Sequence, residues 1–144
     1  MDLIDLYLQE DLGQGDVTSQ ALVDDRDGRA EITTGQDGVL AGVEEAVEVF
    51  RRLGCRCDVL ANDGEKVVAG QRVLEVSGPL KGLLAGERLA LNFLMRMSGI
   101  ATLTRSVVDV CRKANPNVVI AATRRRPSGW AGGTRTASGW TTPS

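Results

Sequence analysis

A chain of 144 residues, 42% hydrophobic and 25% charged, has the make-up of an ordinary globular protein, long enough for one domain with a real core and little more. A net charge of −2 suggests neither a nucleic-acid binder nor a polybasic membrane binder. No apolar run reaches the ~20 residues of a membrane span and no signal-peptide pattern is visible, so a cytoplasmic protein is expected. Aromatic residues make up only 3% of the chain, which leaves Val, Leu, Ile and Ala to build the core. The cysteines, Cys55, Cys57 and Cys111, are odd in number and lack an extracellular spacing, as expected of reduced thiols. Cys55-Arg56-Cys57 has no second pair and no histidine to complete a metal site; it reads as half-buried strand.

Residues 2–11 read as a short amphipathic helix with Leu3, Ile4, Leu6, Tyr7 and Leu8 on its apolar side, broken by Gly13-Gln14-Gly15. Two strand-like pieces follow, 29–34 and 38–43. Val43, Ala46, Val47, Phe50 and Leu53 recur at helical spacing, and Gly54 is placed to stop that helix. Strands at 58–61 and 73–78, with turns at 62–65 and 70–72, suggest a compact sandwich that Pro79 ends. A helix over about 83–97 is apolar almost all round and is expected to be buried. Ser98-Gly99 reads as a turn into a second helix, 100–113, stopped by Asn115-Pro116-Asn117. Val118 to Thr123 is a continuous apolar run, the form of a parallel strand buried on both faces.

The 83–97 helix carries the sharpest chemical signal. Arg88, Asn92 and Arg96 stand at i, i+4 and i+8, one polar stripe on an apolar helix. A buried arginine costs several kcal/mol unless a carboxylate or another anion meets it. The stripe therefore needs a partner: an ion pair within the fold, with Glu87 for example, or an anionic ligand. Thr123 and Arg124 lie at the C-terminal end of the apolar run, the end that carries chemistry in α/β barrels. From Ala122 onward there is no Asp or Glu and four arginines, whereas residues 1–121 carry a net charge of −6. Residues 125–144 show neither strand nor helix period and read as a disordered tail.

Glu10-Asp11-Leu12-Gly13-Gln14-Gly15-Asp16-Val17-Thr18-Ser19, Gly38-Val39-Leu40-Ala41-Gly42, the Gly86–Thr104 segment with Glu87-Arg88, Leu91-Asn92 and Ser98-Gly99-Ile100-Ala101-Thr102, and Ala122-Thr123-Arg124 together resemble the quinolinate phosphoribosyltransferase family, also called nicotinate-nucleotide pyrophosphorylase (carboxylating). The resemblance runs in order from about residue 3 to 124. It implies an α+β fold: an N-terminal open α/β sandwich, hammerhead-like, with helices over 1–112, then the first strand of a truncated α/β barrel over 113–124, with 125–144 as a non-matching tail. It implies phosphoribosyl transfer from phosphoribosyl pyrophosphate to quinolinate with decarboxylation, giving nicotinate mononucleotide in NAD biosynthesis, with Mg²⁺ whose protein ligands are expected to be absent from this chain. It also implies a homodimer in which Arg88 acts in trans on a quinolinate carboxylate. Thr123, Arg124 and Arg125 would add to the substrate site, Arg125 standing where the family has lysine. The family pattern then breaks off, and the tail reads as an out-of-frame or artefactual C-terminus. Two alternatives stand beside this reading, an inactive dimerisation fragment and a biotinyl- or lipoyl-like carrier module. For the carrier, 63–76 resembles the hammerhead pattern, although neither Lys66 nor Lys81 sits at a suitable hairpin tip.

Overall fold

The computed structural model describes residues 3–15, 26–120, 134–136 and 139–141. The chain divides into two compact units, residues 1–102 and 103–144. In the first unit α1 (Leu3–Gly15) is followed by β1 (Asp27–Thr33), β2 (Gly38–Val39), α2 (Val43–Arg52), β3 (Arg56–Val59), β4 (Lys66–Val67) and β5 (Arg72–Pro79). The last helix, α3 (Leu80–Ala114), runs into the second unit. There two three-residue strands, β6 (Thr134–Thr136) and β7 (Gly139–Thr141), pair antiparallel.

The strands form a three-stranded antiparallel sheet in the order β1-β5-β3 and a separate β2–β4 pair. Along β1 burial alternates at every residue, the pattern of a sheet with one covered and one solvated face. Ala30, Ile32, Cys57, Leu74 and Val76 turn inward, while Arg29, Glu31, Arg56 and Asp58 turn out. The inner face packs on Val43, Ala46, Val49 and Phe50 of α2 and on Leu83, Leu89, Ala90 and Leu94 of α3. An aliphatic core follows from the composition, with Leu74, Val49, Val73 and Val76 its largest fully buried side chains. This is the α+β sandwich anticipated.

Several local features explain these elements. Glu44 and Glu45 in the first turn of α2 and Arg51 and Arg52 in its last complement the helix dipole. Its start is capped from a distance: the Val43 N–H donates to Asp63 Oδ1 at 2.9 Å. Gly42, with φ of 92°, sits so close to α3 that a Cβ there would lie 2.9 Å from the Phe93 carbonyl oxygen. On α2, Arg52 holds Glu48 at 2.8 Å and also reaches Asp5 of α1. The Tyr7 ring meets Phe93 edge-on at 6.3 Å.

Four expectations need correction. Helix α1 continues to Gly15 rather than breaking at Gly13, and of its apolar side only Leu8 is buried. The turn expected at Ser98-Gly99 is absent, because α3 is one helix of 35 residues. A Cβ at Gly99 would meet nothing within 4 Å, so this glycine faces open space inside a helix. That helix is also not buried all round: it covers only the face of Gly82, Leu83, Gly86, Leu89, Ala90 and Leu94. Val118 to Ile120 form no strand, since a parallel strand requires a neighbour and none pairs with them among the described residues; 121–123 lie outside those residues.

Candidate functional site

The stripe on α3 is where helical spacing put it. Arg88, Asn92 and Arg96 share one face and line a shallow groove with Leu84, Glu87, Leu91 and Met95. All three polar residues are exposed, so the desolvation penalty expected of a buried arginine does not arise in this chain by itself. The surroundings are unusual for solvent, with Leu84 41% and Met95 66% exposed. A face that mixes free-standing cations with large apolar side chains is a candidate surface for a partner or a ligand.

The internal ion pair with Glu87 is not formed by adjacency. Residues one apart on a helix do not face one another, and both Glu87 and Arg88 are exposed. Glu87 also lies well inside α3, which starts at Leu80, so it does not cap the helix start. Arg88 and Arg96 are separated by eight residues, about 12 Å of helix rise. Past the groove, Ile100 is 69% exposed. In the second unit Leu103, Val107 and Val110 are likewise exposed, and no helix among the described residues is long and apolar enough to cross a membrane.

What fixes the rotation of α3 is a pair of hydroxyls one helical turn apart. Ser98 Oγ accepts from the Ala41 N–H at 3.0 Å and donates to the Ala41 carbonyl at 3.1 Å. Thr102 Oγ1 accepts from the Val39 N–H at 2.9 Å. Strand β2 pairs on its other side with β4, so these hydroxyls satisfy backbone groups that no strand reaches. Gly38 is small for the same reason, since its Cβ would stand 2.7 Å from Thr102 Oγ1. Sequence reasoning read this segment as a turn; the Ser98…Thr102 spacing of four was the overlooked signal.

The other candidates divide cleanly. Thr123, Arg124 and Arg125 lie outside the described residues. Cys57 is half-buried on β3, as expected of a strand residue, whereas Cys55 is buried and precedes that strand. Burial pushes the Cys55 thiol up, and burial, then the neighbouring Cys55 and Asp58, raises Cys57 to about 11. Such thiols stay protonated at neutral pH and are poor nucleophiles and metal ligands. Among the described residues no group of three or more His, Cys, Asp or Glu could hold a metal ion. Lys66 lies in β4 opposite Val39, not at a hairpin tip, which removes the carrier-module reading.

Comparison with known proteins gives this geometry its setting. Residues 16–98 match the family model described as quinolinate phosphoribosyl transferase, N-terminal domain. A relative named probable nicotinate-nucleotide pyrophosphorylase (carboxylating), from Methanothermobacter thermautotrophicus, is 40% identical over 90% of this chain and 47% of its own length. The nicotinate-nucleotide pyrophosphorylase structure from Francisella tularensis superposes with a TM-score of 0.72 at 34% identity, covering 77% of this chain and 40% of that one. NadC from Streptococcus pyogenes gives 0.77 at 28% identity over 88% and 46%. The chain thus spans less than half the length of each of these relatives. With its fold and its sequence in agreement, the chain belongs to the quinolinate phosphoribosyl transferase family, matching its N-terminal domain.

Proposed function

We propose that this chain serves the conversion of quinolinate and phosphoribosyl pyrophosphate to nicotinate mononucleotide, pyrophosphate and CO₂, and that Arg88 is its carboxylate clamp. The observation that carries this is the exposed α3 face, where Arg88 and Arg96 stand unburied beside Leu84, Leu91 and Met95. A planar guanidinium receives a carboxylate through two parallel hydrogen bonds, and quinolinate offers two carboxylates. In the reaction the ring nitrogen bonds to the ribose C1 as pyrophosphate departs with the C–O electrons. The carboxylate next to that nitrogen is then lost as CO₂, and its ring carbon takes a proton. Arg88 orients the diacid and offsets its charge, so its contribution is positioning and electrostatics.

In this reading Arg88 acts in trans within a homodimer, which the exposed apolar side chains of α3 support. Thr123, Arg124 and Arg125 would add hydrogen bonds and cations to the same substrates, on the strength of their sequence motif alone. Mg²⁺ would accompany phosphoribosyl pyrophosphate. The described residues offer no cluster to hold it, and no step is assigned to it. Three free thiols suit a cytoplasmic setting. A second reading, a dimerisation module without activity of its own, is favoured by the same apolar face.

The test is nicotinate mononucleotide formation by the chain alone, and by the chain mixed with a protein supplying the remaining length of its relatives. Activity in either arm that Arg88→Ala removes supports the proposal. Activity in neither arm, with dimers present, supports the module reading instead.

A further inference from the structure

The outer face of the three-stranded sheet carries a second pair of cations that the reaction above does not use. Arg29 on β1 and Arg56 on β3 each stand directly opposite Ser77 on the central strand β5, so the three side chains form one row on one face. Adjacent strands lie about 4.8 Å apart, which sets the two arginine Cα atoms roughly 10 Å apart with the serine between them.

These residues line a single cleft of about 550 Å³ together with Gly28, Gly54, Gly78 and Asp27. Three glycines border the cleft. Gly78 has φ of 151°, and a Cβ there would lie 2.9 Å from the Cys55 Cα. Gly54 has φ of 78° and borders open space. The next row along the sheet is Glu31, Glu75 and Asp58, three carboxylates that repel one another. Arg72 offsets part of that charge, reaching Glu75 at 3.1 Å and Glu31 at 3.4 Å, whereas Arg29 touches Glu75 only at 3.7 Å. Glu75 therefore keeps its closer cation if Arg29 turns to a ligand, and Arg56 enters none of these pairs.

We propose that this cleft is a binding site for a phosphate group, distinct from the α3 face and independent of the function assigned to it. Two guanidinium forks and a hydroxyl line this one cleft, a donor set that suits a tetrahedral oxyanion. Asp27 at the rim opposes excess negative charge, which favours a single phosphate over a pyrophosphate.

The test is a ¹⁵N NMR titration of the 144-residue chain with inorganic phosphate and, separately, glycerol 3-phosphate, at ionic strength held constant with sodium chloride. Saturable shifts centred on Ser77, Gly78 and Gly54 are expected, and the tighter of the two probes identifies free phosphate or a phosphate ester as the source. Arg29→Gln and Arg56→Gln should each weaken binding about tenfold, or ~1.4 kcal/mol, and the double variant should abolish it. Both arginines are exposed, so the urea midpoint should not move. Arg88→Ala should leave the titration unchanged, which separates this site from the proposed carboxylate clamp. Shifts that fail to saturate, that chloride alone reproduces, or that survive in the double variant would overturn the proposal.

Discussion

Removing the Ser98 hydroxyl tests how α3 is held, and with it the direction in which Arg88 and Arg96 point. Ser98 accepts one backbone hydrogen bond from Ala41 and donates another back, at 3.0 and 3.1 Å, both part-buried. Ser98→Ala strands an N–H and a carbonyl beside a helix face that offers no substitute. A net hydrogen bond is worth about 1 kcal/mol, and a buried group left unsatisfied costs about 1–3. A loss of about 2 kcal/mol is therefore expected. Thr102→Val strands the Val39 N–H, bound at 2.9 Å, and loses a longer bond to the Val39 carbonyl at 3.5 Å; it should cost about 1–1.5 kcal/mol. The two sites lie one turn apart and share the β2 segment, so the double variant should fall short of the sum. Urea unfolding, with the slope checked for constancy, reads all three. A Ser98→Ala variant within ~0.3 kcal/mol of the parent, inside the scatter of an ordinary surface change, would show that packing alone orients α3.

Two glycines on α3 should respond in opposite directions. At Gly82 a Cβ would stand 2.6 Å from the Leu53 carbonyl oxygen and 3.0 Å from Cys55 Sγ, so Gly82→Ala should destabilise by about 2 kcal/mol through overpacking. Gly99→Ala meets nothing within 4 Å and should stabilise by about 0.5–1 kcal/mol as a helix substitution; a loss there would restore the turn. Hydrogen bonding from Arg52 leads the causes that hold the Glu48 carboxyl below its ordinary 4.5, with the charge of Arg51 and Arg52 adding to it. The charged form therefore stabilises the fold above pH 4.5, and that contribution is lost as pH falls from there through the depressed folded value. Urea midpoints measured downward from about pH 5 should drop more steeply in the parent than in Glu48→Gln, and equal slopes would contradict the ion-pair assignment. Cys57, raised to about 11, should react with iodoacetamide far more slowly than a free thiol at pH 8. Alkylation at the free-thiol rate would show that β3 leaves it open.

Periodicity made the sandwich legible because its determinants are local. Alternation along 29–34 and the Val43-Ala46-Phe50 spacing each report burial against a face the same chain supplies. The apolar α3 sequence misled for a physical reason. Leu84, Met95 and Ile100 are exposed here, and a sequence pattern registers that a face is apolar without saying which molecule covers it. Ser98-Gly99 misled because serine and glycine suit both a turn and a close backbone approach, and only the β2 segment opposite decides between them. Arg88, Asn92 and Arg96 were found at their true spacing on α3. The burial used to motivate them was not. The Arg29–Ser77–Arg56 row was invisible because it depends on the register of strands more than 20 residues apart in sequence.

The carboxylate clamp is tested most directly at Arg88 itself. In the mixture that forms nicotinate mononucleotide, Arg88→Ala should lower kcat/KM for quinolinate by about 10²–10³-fold, or ~3–4 kcal/mol, with partial recovery in Arg88→Lys. Because Arg88 is exposed, the urea midpoint should be unchanged. An Arg88→Ala protein that keeps kcat/KM within about twofold of the parent, at equal stability, would contradict the assignment.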